Sequence, residues 1–276
     1  LELNLAMLCI STSGALGRYI ELPPPLTIWW RALLSILFLG GLVILSKASF
    51  QIKIKKSKAA VLLSGVLMTV HWVTYFFALQ WSNVAIGMLS LFTYPVITAF
   101  LEPLFLKTKF QLRHFYLGSL MLLGIYFLAP DFDFNNYMTL GLLIGLFSAV
   151  AYSLRNILLK TQIKEVNSTV LMFYQMVVMV VLLIPVPFFY DGEGVVDFIP
   201  YILLLALITT SIGHTLFLNS FKHFSVSTAS LLGGMQPIYG ILLAVIFLHE
   251  IPSGRNMIGG ALIILAVLLE GRRVEK

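Results

Sequence analysis

Polar and charged side chains recur at helical spacing inside stretches of this sequence that are otherwise apolar. Asn4, Ser11 and Arg18 recur every seven residues, and Thr27, Arg31 and Ser35 every four. Ser148, Tyr152, Arg155 and Asn156 share one helical face, as do His71 and Tyr75 with Thr74 beside them. Ser211, His214 and Thr215 cluster, Tyr94 precedes Pro95, Gln236 precedes Pro237, and Tyr239 lies one turn beyond Gln236. A helix places such positions on a common face. Turned inward together, these faces would line a polar, aromatic and cationic pocket. The planar fork of arginine matches a carboxylate, and aromatic rings suit flat or amphipathic groups. The candidate substrate-binding residues are therefore Arg18, Arg31, His71, Tyr75, Tyr94, Tyr152, Arg155, His214, Gln236 and Tyr239. The ligand expected for them is an amino acid or a related small organic anion or zwitterion.

Each candidate has a plainer reading. Arg18 and Arg155 could snorkel to opposite membrane surfaces, Arg31 could sit in a structural ion pair, and His71 and His214 could be neutral hydrogen-bonding groups of the core. Trp29, Trp30 and Trp81 fit interfacial anchoring as well as ligand stacking. Glu102 is a carboxylate inside an apolar run. It would either pair with Lys107 or another cation at the same end, or take up and release a proton.

Other chemistry has no support. The sequence holds no phosphate-binding G-x-x-x-x-G-K-[ST] loop, no glycine-rich dinucleotide fingerprint and no G-x-S-x-G elbow. His249-Glu250 lacks a second histidine at H-E-x-x-H spacing, and one cysteine makes a structural zinc site unexpected. No cofactor or metal is expected. The competing classes are an intramembrane enzyme built on a buried Ser-His or Glu-His pair, and a channel or sensor.

The elements that must position these residues are membrane spans. Of 276 residues, 59% are hydrophobic and 11% charged, against about 25% charged in soluble domains. Ten apolar segments are long enough for the purpose: residues 2–20, 25–46, 58–80, 84–106, 112–129, 138–160, 168–190, 198–221, 226–249 and 254–271. Loops after even-numbered spans carry Lys47, Lys53, Lys55, Lys56 and Lys58, then Lys107, Lys109 and Arg113, then Lys160 and Lys164, then Lys222. The tail adds Arg272, Arg273 and Lys276, whereas the other loops carry Glu21, Asp131, Asp133, Asp191, Glu193 and Asp197, with Arg255 as the basic exception. Lysine and arginine favour the cytoplasmic side, so both termini are expected there, in an inner or plasma membrane. The net charge of +6 points by its placement to lipid headgroups and not to nucleic acid. Cys9 has no partner for a disulfide within the chain. The chain opens on Leu1 without a signal-peptide pattern, and some residues are expected to precede it.

The chain also repeats. At an offset of 142, Pro95 pairs with Pro237, Arg113 with Arg255, Gly118 with Gly260 and Val84 with Val226. Leu89/Leu231, Phe105/Phe247, Leu106/Leu248, Leu120/Leu262 and Leu123/Leu265 share that offset. Each half holds five spans, an odd number, so the second enters the membrane from the opposite side. The predicted fold is an all-α integral membrane protein of ten transmembrane helices in two inverted five-helix repeats. Its units are residues 1–130 and 137–272, with a cytoplasmic tail at 273–276. Pro95 and Pro237 are expected to kink the fourth and ninth spans, freeing the carbonyls of Leu91 and Gly233, and so to shape or gate a central cavity. Gly141, Gly145, Ala149 and Ser153 form a small-residue face for packing within the bundle, consistent with a monomer or a weak dimer.

The stretches HWVTYFFALQWSNVAIGMLSLFTYPVITAFLEP and NSFKHFSVSTASLLGGMQPIYGILLAVIFLHE, the latter followed by IGGALIILAVLL, resemble the EamA family of the drug/metabolite transporter superfamily. That family ends its leucine-rich helix in Gly-Glu; this chain has His249-Glu250 in the second half and Lys107-Thr108 in the first. The resemblance covers nearly the whole chain. It implies a secondary transporter that moves a small metabolite by alternating access, with export the expected direction and no enzymatic activity. It leaves the substrate open.

Overall fold

The computed structural model describes residues 2–52, 55–107, 109, 112–128, 135–190, 192 and 194–271. Lys53, Asp131, Asp133, Asp191, Glu193, Arg272, Arg273, Lys276 and the tail 273–276 lie outside them.

Every predicted span is built from helix. The first three are α1 (Glu2–Tyr19), α2 (Pro24–Leu45) and α3 (Lys55–Trp81). The fourth is divided into α4a (Val84–Leu91) and α4b (Tyr94–Leu106), and is followed by α5 (Arg113–Leu128) and α6 (Tyr137–Lys160). In the seventh, α7 (Ser168–Leu182) ends at a proline-containing turn before one more helical turn, Val186–Phe189. The eighth, α8, runs Val195–Leu204, continues as a π-helical stretch Leu205–His214, and closes as Thr215–Ser220. The ninth comprises α9a (Val226–Leu232), a 3₁₀ turn Gly233–Met235 and α9b (Gln236–Leu248), and α10 is Gly254–Gly271. Among the described residues, six segments are both long and apolar enough to cross a membrane: 24–45, 57–81, 84–106, 137–160, 168–189 and 195–220. The others are shorter, interrupted or more polar.

The two prolines do more than kink. In both halves the helix stops and a new one begins with Tyr94-Pro95 or Gln236-Pro237, the proline standing in its first turn. There the missing N–H costs nothing, because first-turn amides have no intrahelical acceptor. The correspondence continues around the break. Asn83 Oδ1 caps Ile86 N at 2.9 Å, and Ser225 Oγ caps Thr228 N at 3.0 Å, both 142 residues apart. Lys107 and His249, again 142 apart, end α4b and α9b in the left-handed conformation at φ 54° and 56°.

Packing follows the same exchange of halves. α3 lies along α6 as α8 lies along α1, α4 against α6 as α9 against α1, and α2–α7 and α5–α10 each pair an element with its own counterpart. Apolar side chains fill the core and also cover the outside. Leu37, Ile44, Phe105 and Phe247 are exposed on the outside, while Arg31, Arg155, Asn156, Gln175 and Ser148 are buried. The small-residue face of α6 packs within the bundle. A Cβ on Gly145 would collide with Ser90, one on Gly141 would lie 2.9 Å from Ser82 Cβ, and Ser153 Oγ donates to Tyr94 O at 3.0 Å.

Candidate functional site

The polar faces converge on a small cavity of about 10 Å³ where both repeats meet. That is room for about one water molecule. α1 contributes Ser13, α2 Arg31, α3 His71, Trp72 and Tyr75, α6 Tyr152, α8 His214 and α9b Gln236. The broken spans deliver Leu91 and Gln236, the last residue before one break and the first after the other.

Arg31 is 1% exposed. Its Nε donates to Thr210 Oγ1 at 2.8 Å, and its guanidinium lies 3.6 Å above the Trp72 ring. Nη2 has no partner among the described residues. Thr210 is held by its own hydroxyl, which donates to Leu205 O at 3.0 Å, and Ser211 does the same to Ala206 O at 2.7 Å. Both acceptors lie five residues back, the spacing of the π-helical stretch, and such stretches concentrate at functional positions. Leaving an arginine at bilayer depth costs about 2.5–3.5 kcal/mol on insertion scales. A desolvated ring beneath it recovers about 2 kcal/mol.

Arg155 does not snorkel, and it forms no ion pair among the described residues. It is fully buried, with Nε to Gln175 Oε1 at 2.8 Å, Nη1 to Asn156 Oδ1 at 2.9 Å and Nη2 to Met172 Sδ at 3.1 Å. It borders the cavity through Tyr152, whose ring centre is 5.9 Å away. The His71 ring stacks on Tyr152 at 4.3 Å, and Tyr94 meets Tyr152 edge-on at 4.8 Å. Ser148 Oγ donates to His71 O at 2.8 Å and lies 2.7 Å from Nδ1. Its single proton is thereby used, so Nδ1 carries the ring proton and Nε2 is left for the cavity side. This Ser-His contact is the reverse of a nucleophile held by a base. His214 stands 5.4 Å from Trp72, with Nδ1 unpartnered among the described residues.

Three candidates fall outside this cluster. Tyr239 is half-buried on α9b and does not line the cavity. Arg18 and Glu102 lie at opposite ends of the bundle, each in a contact that joins the two repeats. Arg18 Nε pairs with Glu250 Oε1 at 2.9 Å and its Nη1 donates to Gln80 O at 2.9 Å, while Glu250 Oε2 accepts from Val84 N at 2.9 Å. At the other end Lys160 donates to Phe221 O at 2.6 Å and Phe224 O at 2.5 Å. Glu102 there accepts from Val226 N at 3.3 Å, from Ser227 N at 3.2 Å and from the Ser227 hydroxyl. Its charge reaches Lys160; the pairing with Lys107 does not form among the contacts seen.

The two clusters are counterparts. Arg18 and Lys160 are 142 apart, as are Val84 and Val226. In each, a cation at the end of the first span of a repeat binds carbonyls near the end of the third, and a carboxylate from the other repeat caps the start of the fourth. Glu102 and Glu250 are not 142 apart, so alignment of the halves hides their equivalence. The Arg18 cluster also borders an open polar cleft of about 630 Å³ with Glu21 and Gln80.

Sequence spacing missed Trp72, Thr210, Gln175 and Ser13, whose types are ordinary in helix interiors. The shared offset of Arg18 and Lys160 was a readable signal for the end clusters.

The chain matches the model of the EamA-like transporter family twice, over residues 3–129 and 139–270. An "Uncharacterized transporter" of Archaeoglobus fulgidus is 24% identical over 211 residues, 72% of this chain and 71% of its relative. A solved crystal structure superposes with a TM-score of 0.75 at 16% identity, covering 100% of this chain and 98% of the other, which establishes the shared fold. A doubled five-span unit, polar side chains gathered between its copies and two matches to one family model lead to one conclusion: the chain belongs to the EamA-like transporter family and is a multi-pass membrane transporter, not an enzyme.

Proposed function

We propose that the chain is an alternating-access carrier for a small organic anion or zwitterion, amino acids included, with the central cavity as its substrate site. One observation carries this reading. Arg31, His71, Tyr152 and His214, drawn from both repeats, enclose a cavity with an unpartnered guanidinium nitrogen at its wall. A buried polar group without a partner is costly and is relieved by a ligand oxygen. At about 10 Å³ the cavity is too small for a metabolite, so loading requires the repeats to separate. The end clusters are the natural gates, because each joins a carboxylate of one repeat to a helix start of the other. By the charge of the loops, the Glu102–Lys160 gate faces the cytoplasm and the Arg18–Glu250 gate the outside, with both termini cytoplasmic. Residues 1–130 and 137–272 are the rocking units of a monomer or weak dimer.

The test is uptake and efflux of a metabolite panel in vesicles carrying the protein, with and without a proton gradient, against Arg31→Gln. Export appears as efflux exceeding uptake under matched gradients. Transport that survives Arg31→Gln at wild-type rate and affinity would remove the central cavity as the substrate site.

A further inference from the structure

We infer that the central site selects an organic anion whose negative charge is not balanced by an ammonium group of its own. This rests on reading the cavity as the substrate site. Two guanidiniums, one from each repeat, are fully buried, Arg31 at the cavity wall and Arg155 behind Tyr152, and every observed partner of either is neutral. Arg31 has the Thr210 hydroxyl and the Trp72 ring; Arg155 has Gln175, Asn156, Met172 and the Tyr152 ring. No carboxylate among the described residues bears on the charge of either. The buried carboxylate Glu102 and the part-buried Glu250 are both engaged at the ends of the bundle.

Arg31 lies 3.6 Å from the Trp72 ring and Arg155 5.9 Å from the Tyr152 ring, and both rings line the cavity, so each guanidinium stands at or just behind its wall. The cavity wall offers no acid to an ammonium, which would find only neutral acceptors there: the Gln236 amide oxygen, the Ser13 and Tyr75 hydroxyls and the His71 ring nitrogen. A zwitterion would bring one charge that the site welcomes and one that it repels. An anion brings only the first, and its oxygen can take the free Nη2 of Arg31. Carboxylates and phosphate monoesters share this chemistry, since both offer anionic oxygens to an arginine fork.

The experiment uses matched probes that differ by one ammonium: 3-phenylpropionate against phenylalanine, glutarate against glutamate, and phenyl phosphate as the phosphate arm. These are set within a wider panel of metabolite pairs. Half-saturating concentrations are read from thermal unfolding of the purified protein and from inhibition of transport in vesicles. For every pair with a bound member, the anion is expected at a concentration at least tenfold below its amino counterpart. Arg31→Gln is expected to erase that difference and Arg31→Lys to retain it. Phenyl phosphate binding alone supports the inference and assigns the anion to phosphate. Amino compounds binding as tightly as their anions overturn the inference and leave the carrier reading intact. If no anion or zwitterion is bound or moved, both fall. The wild-type comparison decides even if Arg31→Gln does not fold.

Discussion

Replacing Glu102 by glutamine removes the charge of the contact proposed as the cytoplasmic gate while preserving its shape. The carboxylate accepts from two backbone amides and one hydroxyl at the start of α9a. Glutamine keeps one acceptor oxygen and turns an NH2 group towards a backbone N–H. Hydrogen bonds to a charged group contribute about 1.5–3 kcal/mol each, against about 1 kcal/mol for neutral ones, and the helix start favours a negative charge by a further 0.3–1 kcal/mol or so. The closed gate should lose about 2–4 kcal/mol. At about 1.4 kcal/mol per tenfold, this shifts the closed–open equilibrium roughly 30- to 700-fold, because the contacts exist only when the repeats meet. Ser230 reports the change. It lies on α9a, fully buried, with a hydroxyl that has no partner among the described residues. With Cys9→Ala as background, Ser230→Cys should react slowly with a membrane-impermeant thiol reagent from the inner face, and much faster once Glu102→Gln is added. Glu250→Gln should leave it slow, since that change loosens the opposite end. Equal rates with and without Glu102→Gln, in protein that unfolds at a normal temperature, would refute the gate.

Arg31→Lys should lower transport at least tenfold at unchanged expression, since an ammonium loses the flat stack on Trp72 and the fork that reaches both Thr210 and a ligand. Thr210→Val should weaken substrate binding or folding by about 1.5–3 kcal/mol, the value of a hydrogen bond to a charged donor, read as half-saturation and unfolding midpoint. Gly145→Val should destabilise the bundle by about 1–3 kcal/mol, visible in the unfolding midpoint, because its Cβ would occupy the space of Ser90.

The polar residues of the site were legible in part. Arg31, His71, Tyr75, Tyr152, His214 and Gln236 could be placed because a charged or polar group in an apolar run has few tolerable surroundings, and helical period fixes its face. Arg18 looked the same by that reasoning, yet it closes an end contact with Glu250 instead of lining the cavity. Periodicity gives a direction around a helix but not the depth of a neighbour. Trp72 escaped notice because an aromatic in a span is ordinary until a guanidinium is seen 3.6 Å above it.

Composition and order alone determined that this chain lies in a membrane, crosses it ten times and repeats itself after 142 residues. Those features depend on transfer of apolar side chains and on local backbone preference, which neighbouring residues fix. The tertiary structure decided that the prolines begin new helices, that α8 widens into a π-helical stretch beneath Arg31, and that Glu102 and Glu250 do the same work from unequal positions. Each of these depends on a contact between residues far apart in the chain, and the energy of such a contact exists only once the two halves have packed together.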